Sequence, residues 1–485
     1  MPPGKGNGME HQLPGIVRHT QAEKQRLTEL LRAELLRNEC KIVVLDDDPT
    51  GTQTVHDVPV YTRWDRQIMG QALAEPGRAF YILTNNRARS AAETEQVCRE
   101  IGENLAAAAK EQNRNCLVIC RGDSTLRGHY PLETQTLRRT LEKEGARVDG
   151  EILCPFFEEG GRFTLHGMHY VQQGGELVPA KDTEFAKDRT FGYSSSFLPR
   201  YIEEKTAGQC PAQQVLHIPR ELLFEEGIDR VEALLCGCTD CRRICVDACE
   251  YADLTAFSVG FYRALARGKQ FLIQSAASLV KVLAGIEDRP LLLQREMTDA
   301  PHGGGVVIVG SHTEKTTRQL ECLLTLDNVI PVPFRASAAV ESAQALDREV
   351  ERCVALEEQI LCRGCTAVCY TERDELPTDG LSREEALQQS VRVGEGVQRL
   401  VARLKVAPSF IVAKGGITSS DIATKALEIS RAMVLGQIKP GVSVWRTPPE
   451  SRFPGIPYVV FPGNVGDEDT LRQTVQCLLG IQTTN

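Results

Sequence analysis

No apolar run in this 485-residue chain approaches the length of a membrane span, which argues against a helical membrane protein. Positive charge is also short. The 56 Lys and Arg are outnumbered by 65 Asp and Glu, giving a net charge of −9. A nucleic-acid binder carries a basic face, so that class is disfavoured. Residues 1–8 are small and polar and lack the apolar core of a secretory signal. Residues 1–20 are expected to be a disordered tail ahead of a helix over 21–36. There is no internal repeat and no long low-complexity segment. The Gly-x4-Gly-Lys-Ser/Thr loop is missing, as are the protein-kinase motif set and the Gly-x-Ser-x-Gly elbow. His302-Gly303-Gly304-Gly305 mimics an esterase oxyanion loop, but without an elbow a hydrolase is the weakest reading.

Cysteine is the one unusually common residue, with seventeen copies. Two clusters, Cys236 to Cys249 and Cys362 to Cys369, have spacings that could hold zinc, but no His-x3-His pairing completes either set. The expectation is therefore free, partly buried thiols in a cytoplasmic, reducing compartment, with no metal site in the protein itself. His166 and His169 fall on an expected hairpin, where i and i+3 point to opposite faces, so they are not expected to bind a metal.

The length suits two domains, and the composition is that of a soluble globular protein. In the first half, apolar strands at 41–45, 79–84, 116–120, 151–154, 214–218, 244–247 and 270–274 alternate with helical segments. The second half repeats that rhythm, with strands at 306–309, 366–370, 409–413, 432–436 and 457–461. Alternation of this kind predicts α/β architecture: two domains, each a mainly parallel sheet flanked by helices. Gln173-Gly174-Gly175 predicts a hairpin insertion in the first domain. The expected domains are 1–285 and 305–485, joined by a linker over 286–304.

Three turns carry the chemistry. Gly415-Gly416-Ile417-Thr418 joins the strand 409–413 to a helical segment. Two glycines there let backbone N–H groups approach an anion, and the following turn adds hydroxyls and a helix dipole, which suits phosphate. The alternative is a tight turn capped by Thr418 and Asp421. Asp46-Asp47-Asp48-Pro49-Thr50-Gly51 follows the strand 41–45. Clustered carboxylates repel one another unless they point apart, bind a cation or face a polyhydroxylated ligand. Ligands also gather at the carboxyl ends of strands in open α/β sheets. The third turn, Arg121 to Gly128, follows the strand 116–120 and is dense in the donors and acceptors that sugar hydroxyls and a carboxylate require.

With these motifs in hand, the chain resembles the four-carbon acid sugar kinase family. Asp47, Asp48, Thr50 and Gly51 match its Asp-Asp-x-Thr-Gly turn, and Asp123 to Gly128 match its Asp-Ser-Thr-Leu-Arg-Gly run. Gly310-Ser311, Gly415 to Thr418 and Gly463-Asn464-Val465-Gly466 match three turns of its C-terminal domain, in the family order. Pro49, Thr52 and the lead-in Phe461-Pro462 depart from the pattern, which bears on the substrate more than on the reaction type.

The resemblance implies a cytoplasmic kinase that uses ATP and Mg2+ to phosphorylate a threonate, erythronate or 3-oxo-tetronate type of sugar acid, in a cleft between its domains. It implies substrate contacts from Asp47, Asp48, Thr50, Gly51, Ser124, Thr125 and Arg127. Asp48 and Asp123 are the candidate bases, and which of them serves is left open. Nucleotide contacts are expected from Ser311, Gly415, Gly416, Ile417, Thr418 and Gly463. Partners are expected to be a small sugar acid, with no nucleic acid and no membrane; a homo-oligomer is compatible with the sequence. The competing class is a non-catalytic regulatory protein that binds a nucleotide or metal, which leaves the acidic strand-end turns unexplained.

Overall fold

The structure, a computed structural model, describes residues 16–298, 303–311, 313–372, 383–463 and 465–481. Most of the expected 1–20 tail and part of the 286–304 linker lie outside these residues, as do His302 and Asn464. In chain order the strands begin with β1 (Lys41–Asp46), β2 (Val58–Tyr61) and β3 (Ala79–Leu83). Next come β4 (Cys116–Arg121), β5 (Gly150–Cys154), β6 (Arg162–Leu165), β7 (Met168–Gln173), β8 (Glu176–Pro179), β9 (Leu216–Ile218), β10 (Arg242–Val246) and β11 (Phe271–Ser275). The last group is β12 (Val306–Val309), β13 (Val329–Phe334), β14 (Thr366–Thr371), β15 (Ile411–Lys414), β16 (Arg431–Lys439), β17 (Val442–Arg446) and β18 (Pro457–Phe461).

By packing, the chain forms two compact units. Unit 1 comprises 1–40 and 117–285, and unit 2 comprises 41–116 and 286–485. Packing therefore groups 41–116 with the C-terminal residues, whereas the expected domains follow chain order.

The sheet of unit 1 runs β4–β11–β5–β10–β9, and every neighbouring pair is parallel. Buried β-branched and aliphatic residues such as Ile119, Ile152 and Ile244 fill these strands, as a sheet covered on both faces demands. The expected insertion is a three-stranded antiparallel sheet, β6–β7–β8. Its second turn uses Gly174 and Gly175 at φ of +58° and +88°, a region open to glycine at little cost. Leu126, Leu153, Val171, Leu198 and Ile202 join the insertion to the parallel sheet in one core.

In unit 2 the order is β13–β14–β12–β15–β18–β17–β16–β2–β3–β1. The run from β13 to β18 is parallel, β16 and β17 form an antiparallel hairpin, and β2, β3 and β1 are parallel to one another. The link between them is the antiparallel pairing of β2 with β16. Sequence reading missed β2, β13 and β17. Pro59, Pro331 and Pro333 interrupt two of these strands, and proline weakens a strand signal. Val307, Val412, Val444, Val459 and Phe461 form the core of this unit.

Candidate active site

In unit 2 the nucleotide-like turns converge because β12, β15 and β18 are adjacent and parallel, so their carboxyl ends lie side by side. Gly415 sits at φ +118°, a backbone angle that favours glycine, and the helix Gly416–Asp421 starts directly after it. No side chain caps that helix start, so the alternative reading of a Thr418–Asp421 box is not realised. Thr418 instead faces Gly310, where even a Cβ would strike its hydroxyl. Ser311 Oγ accepts a hydrogen bond from Thr316 Oγ1 at 3.2 Å, and Thr316 Oγ1 also lies 3.4 Å from the Gly463 carbonyl. Ile417 is 63% exposed at the tip of the turn, an uncovered apolar surface beside the glycines. Five of the six expected nucleotide residues thus gather around one turn, with Gly463 at its rim. The helical segment expected after the turn begins at Gly416 and widens to a π-turn over Ile422–Ala426.

The acidic turn of β1 lies against this glycine turn. A Cβ on Gly416 would collide with Asp48 Oδ2. Asp48 Oδ1 accepts the Thr50 N–H at 2.8 Å and caps a short 3-10 turn over Pro49–Thr52. Proline is favoured at the first position of such a turn, which accounts for Pro49. Thr52 is also explained: it is buried, donates to Ser443 Oγ at 3.0 Å and accepts from Trp445 Nε1 at 3.0 Å. Gly51 is needed for close approach, since a Cβ there would enter the Asp46 carboxylate. Asp47 is held in a two-point grip by Arg87, with Nε to Oδ2 at 3.0 Å and Nη2 to Oδ1 at 2.6 Å. Arg87 also lies 3.6 Å from Asp48. Sequence reading missed Arg87. Its signal was Asn85-Asn86-Arg87, another polar turn at a strand end, with Asn85 in the left-handed region.

Lys414 ends β15 directly before the glycine turn. It is fully buried, and its Nζ donates to the Pro462 carbonyl at 2.9 Å and stands 4.2 Å from the centre of the Phe461 ring. Burial, with Lys315 adding like charge, pushes its pKa down to about 7. Lysine therefore ties the end of β15 to the end of β18, next to the glycine turn.

In unit 1, Asp123 Oδ2 accepts Arg127 Nε at 2.6 Å and also pairs closely with the Thr125 hydroxyl. Asp123 thus occupies the Nε side of Arg127. Among the described residues, the terminal Nη nitrogens of Arg127 donate no hydrogen bond, which leaves that edge of the guanidinium for a carboxylate. The Arg127 guanidinium stacks 4.9 Å from the Phe185 ring, and Arg162 stands 5.8 Å from the same ring. Arg162, on the hairpin, was not foreseen. Its pKa is lowered by burial first and by Arg127, while Asp123 raises it, and its Nε is buried without a hydrogen bond.

His169 holds the turn from beneath. Nε2 lies 2.8 Å from the Ser124 carbonyl and Nδ1 lies 2.9 Å from Thr164 Oγ1. Burial lowers its pKa to about 4, so it is neutral at physiological pH. Tyr193 and Tyr201 donate to the Thr125 and Leu126 carbonyls, and fix Leu126 at a φ of +69°. Ser124 and Thr125 are both buried, and the Thr125 hydroxyl donates to Asp123.

All seventeen cysteines are free. Among the described residues, the one His/Cys/Asp/Glu group whose ligand atoms converge is His19, Glu250 and Asp253, in unit 1. Arg220 donates to Asp253 and to Glu250 at 2.9 Å each, and Lys24 pairs with Glu250 at 2.7 Å. These cations already balance the two carboxylates. The group reads as a buried ion network that ties residues 17–24 to the helix Tyr251–Ala266.

Residues 42–283 match the family model of a sugar-binding N-terminal domain, and residues 306–471 that of a nucleotide-binding C-terminal domain. Among solved structures, a Salmonella typhimurium LT2 protein with the provisional name tRNA synthase is similar at a TM-score of 0.64 and 19% identity, covering 89% of this chain and 98% of its own. A Haemophilus influenzae protein is similar at a TM-score of 0.59 and 18% identity, covering 90% of this chain and 100% of its own. At these identities the likeness speaks to the fold alone. No curated protein matches the chain.

Proposed function

The chain belongs to the four-carbon acid sugar kinase family, and on that premise we propose that it is an ATP-dependent kinase acting on a hydroxyl of a four-carbon sugar acid of the threonate, erythronate or 3-oxo-tetronate type. The observation that carries this reading is the approach of Asp48 to the Gly415–Gly416 turn. A carboxylate beside a phosphate turn repels its ligand unless a cation or a transferring proton lies between them. Both occur in phosphoryl transfer.

The residues fit Mg2+, a hard cation that needs one or two carboxylates besides the nucleotide phosphates and keeps several waters. Arg87 grips Asp47 at two points and only approaches Asp48 at 3.6 Å; Asp48, which meets Gly416, is the carboxylate that would hold the ion together with those phosphates. When bound, the ion neutralises charge on the phosphates. Gly415, Gly416 and Thr418 present backbone and hydroxyl donors to the phosphates, Ser311 and Gly463 border them, and Ile417 offers an apolar face to the nucleoside.

Asp123, Ser124, Thr125 and Arg127 bind the acid. The free guanidinium edge of Arg127 grips the carboxylate, Asp123 accepts from a hydroxyl, and Arg162 adds positive charge nearby. We assign Asp48 to the phosphoryl-transfer chemistry and Asp123 to binding of the acid. Thr50 and Gly51 act by shaping the Asp48 turn.

The test is an ATP- and Mg2+-dependent phosphorylation screen over four-carbon sugar acids and their 3-oxo forms, with isothermal titration of ATP alongside. Turnover of at least one acid is expected. ATP binding without turnover of any acid would remove the substrate class, and no ATP binding would remove the kinase reading itself.

A further inference from the structure

Unit 1 carries a polar cavity that the kinase reading does not use. A cleft of about 730 Å³ opens between the helix Leu132–Lys143, the segment 206–214 and the loop 237–243. It lies at the opposite rim of the unit 1 sheet from Asp123. Arg242 opens β10 and pairs with Gly150 at the start of β5, whereas Asp123 follows the end of β4, and these strands run parallel. Ligands in such sheets usually sit at the carboxyl ends, so this cavity has to be explained on its own terms.

Arg138, Arg139, Arg242 and Arg243 line the cleft against only two carboxylates, Glu142 and Asp240. Two of the arginines are engaged. Arg138 Nε donates to Glu142 at 2.8 Å, and Arg243 pairs with the buried Glu151. The side chains of Arg139 and Arg242 make no hydrogen bond or ion pair among the described residues. Cations gathered on a concave wall focus the potential there and draw anions in. Asp240 and Cys241 stand at φ of +56° and +55° on consecutive residues, a strained pairing for side-chain-bearing residues. Strain of this kind tends to cluster at ligand sites, where the surroundings over-determine it. Gln135, Gln213 and Thr239 add neutral donors.

We propose that this cleft is a second ligand site, which takes a small metabolite carrying two phosphate groups, held by the forks of Arg139 and Arg242. A guanidinium pairs with phosphate through two parallel N–H donors, and two unpaired forks lining one cleft suit two phosphates. The volume is that of a metabolite site and not of a macromolecular surface. Its lining residues all belong to unit 1, whereas the glycine turns belong to unit 2, so its occupation is expected not to require the nucleotide turn.

The experiment uses the full chain, with inorganic pyrophosphate as the probe. Titration calorimetry compares wild type, the double variant Arg139→Gln/Arg242→Gln and the nucleotide-turn variant Gly416→Val. Both arginines are exposed, so their replacement should leave the melting temperature close to that of wild type. Pyrophosphate affinity is expected to fall by about tenfold or more in the double variant, the scale of lost charge-assisted bonds, and to persist in Gly416→Val. Location is read separately by the alkylation rate of Cys210, a half-buried thiol in the cleft wall, followed by mass spectrometry. Pyrophosphate should slow that reaction in wild type but not in the double variant. The proposal is overturned if wild type does not bind pyrophosphate, if the double variant binds it unchanged, or if Cys210 gains no protection. Loss of all binding in a folded Gly416→Val would assign the signal to the nucleotide turn and overturn it equally. None of these outcomes depends on which sugar acid is phosphorylated.

Discussion

The Asp48 turn and the Asp123 turn follow the same plan in sequence: a buried strand, an acidic residue, a hydroxyl and a glycine. Their surroundings divide their chemistry. At the first, Arg87 grips Asp47 through Nε and Nη2 and turns Nη1 toward Asp48 at 3.6 Å, and Asp48 also meets the glycine turn. At the second, Asp123 itself takes one edge of Arg127 and leaves the other open, under a hairpin that brings Arg162 and His169. The lesson is that an aspartate at a strand end is defined by its arginine. An arginine shared by two aspartates holds both at the glycine turn, and one with an edge to spare makes a receptor for an acid.

The largest effect that can break this comparison comes from the two aspartates. Asp48→Asn should lower kcat by about a hundredfold or more, the usual scale for losing an acid–base or charge-stabilising group. Asp123→Asn should chiefly raise the KM for the sugar acid, because Arg127 loses its anchor. Steady-state kinetics on the best acid decide it, and exchanged outcomes would reverse the assignment. Next in size is Gly416→Val. Its side chain would enter the space of Asp48, and an overpacking cost of about 1–3 kcal/mol, if carried into binding, weakens ATP affinity by about fivefold to 150-fold. Unchanged ATP binding in a folded variant would separate the glycine turn from the nucleotide.

Arg127→Lys sharpens the receptor side. Lysine keeps the charge but cannot serve Asp123 and a carboxylate from two edges at once, so KM should rise by about tenfold with kcat nearly kept. A KM equal to that of wild type would mean that the carboxylate is held elsewhere, with Arg162 the next candidate.

The smallest effects are on stability, and the two turns should show them in different pH windows. His169 is neutral in the fold, with a pKa near 4. The unfolded chain takes up a proton near pH 6.5, so stability is lost as pH falls from about 6.5 to 4, by up to roughly 3 kcal/mol. His169→Gln should flatten that limb of the melting curve. Lys414 has a folded pKa of about 7 against 10.5 in the free side chain. Between those values the unfolded state holds the extra proton, so stability falls as pH drops from about 10 to 7. Lys414→Met should therefore gain on wild type most at pH 7 and progressively less toward pH 10, as thermal unfolding across that range would show.

Much of the fold was legible because apolar strands alternate with helices of regular period. The strands that escaped notice were short or broken by proline, as β2 and β13 show. Among site residues, the glycines and aspartates announced themselves by occurring together at strand ends. Arg87, Arg162 and Lys414 did not, since a single basic residue in a loop, a hairpin or a strand resembles any surface charge until its partners are known. The departures Pro49 and Thr52 were visible but unreadable. One starts a 3-10 turn, and the other bonds to Ser443 and Trp445 across more than 390 residues of chain.

The sequence by itself determined the α/β class, the hairpin insertion and the strand-end turns, because these rest on local periodicity and on what glycine and clustered carboxylates permit. Only the tertiary structure decided that residues 41–116 pack with the C-terminal strands, through the pairing of β2 with β16. That pairing accounts for Asp48 lying beside Gly416. The physical reason is that strand pairing joins segments far apart in the chain through backbone hydrogen bonds that carry no residue signature, so a turn's neighbours, and with them its chemistry, exist only once the sheet has formed.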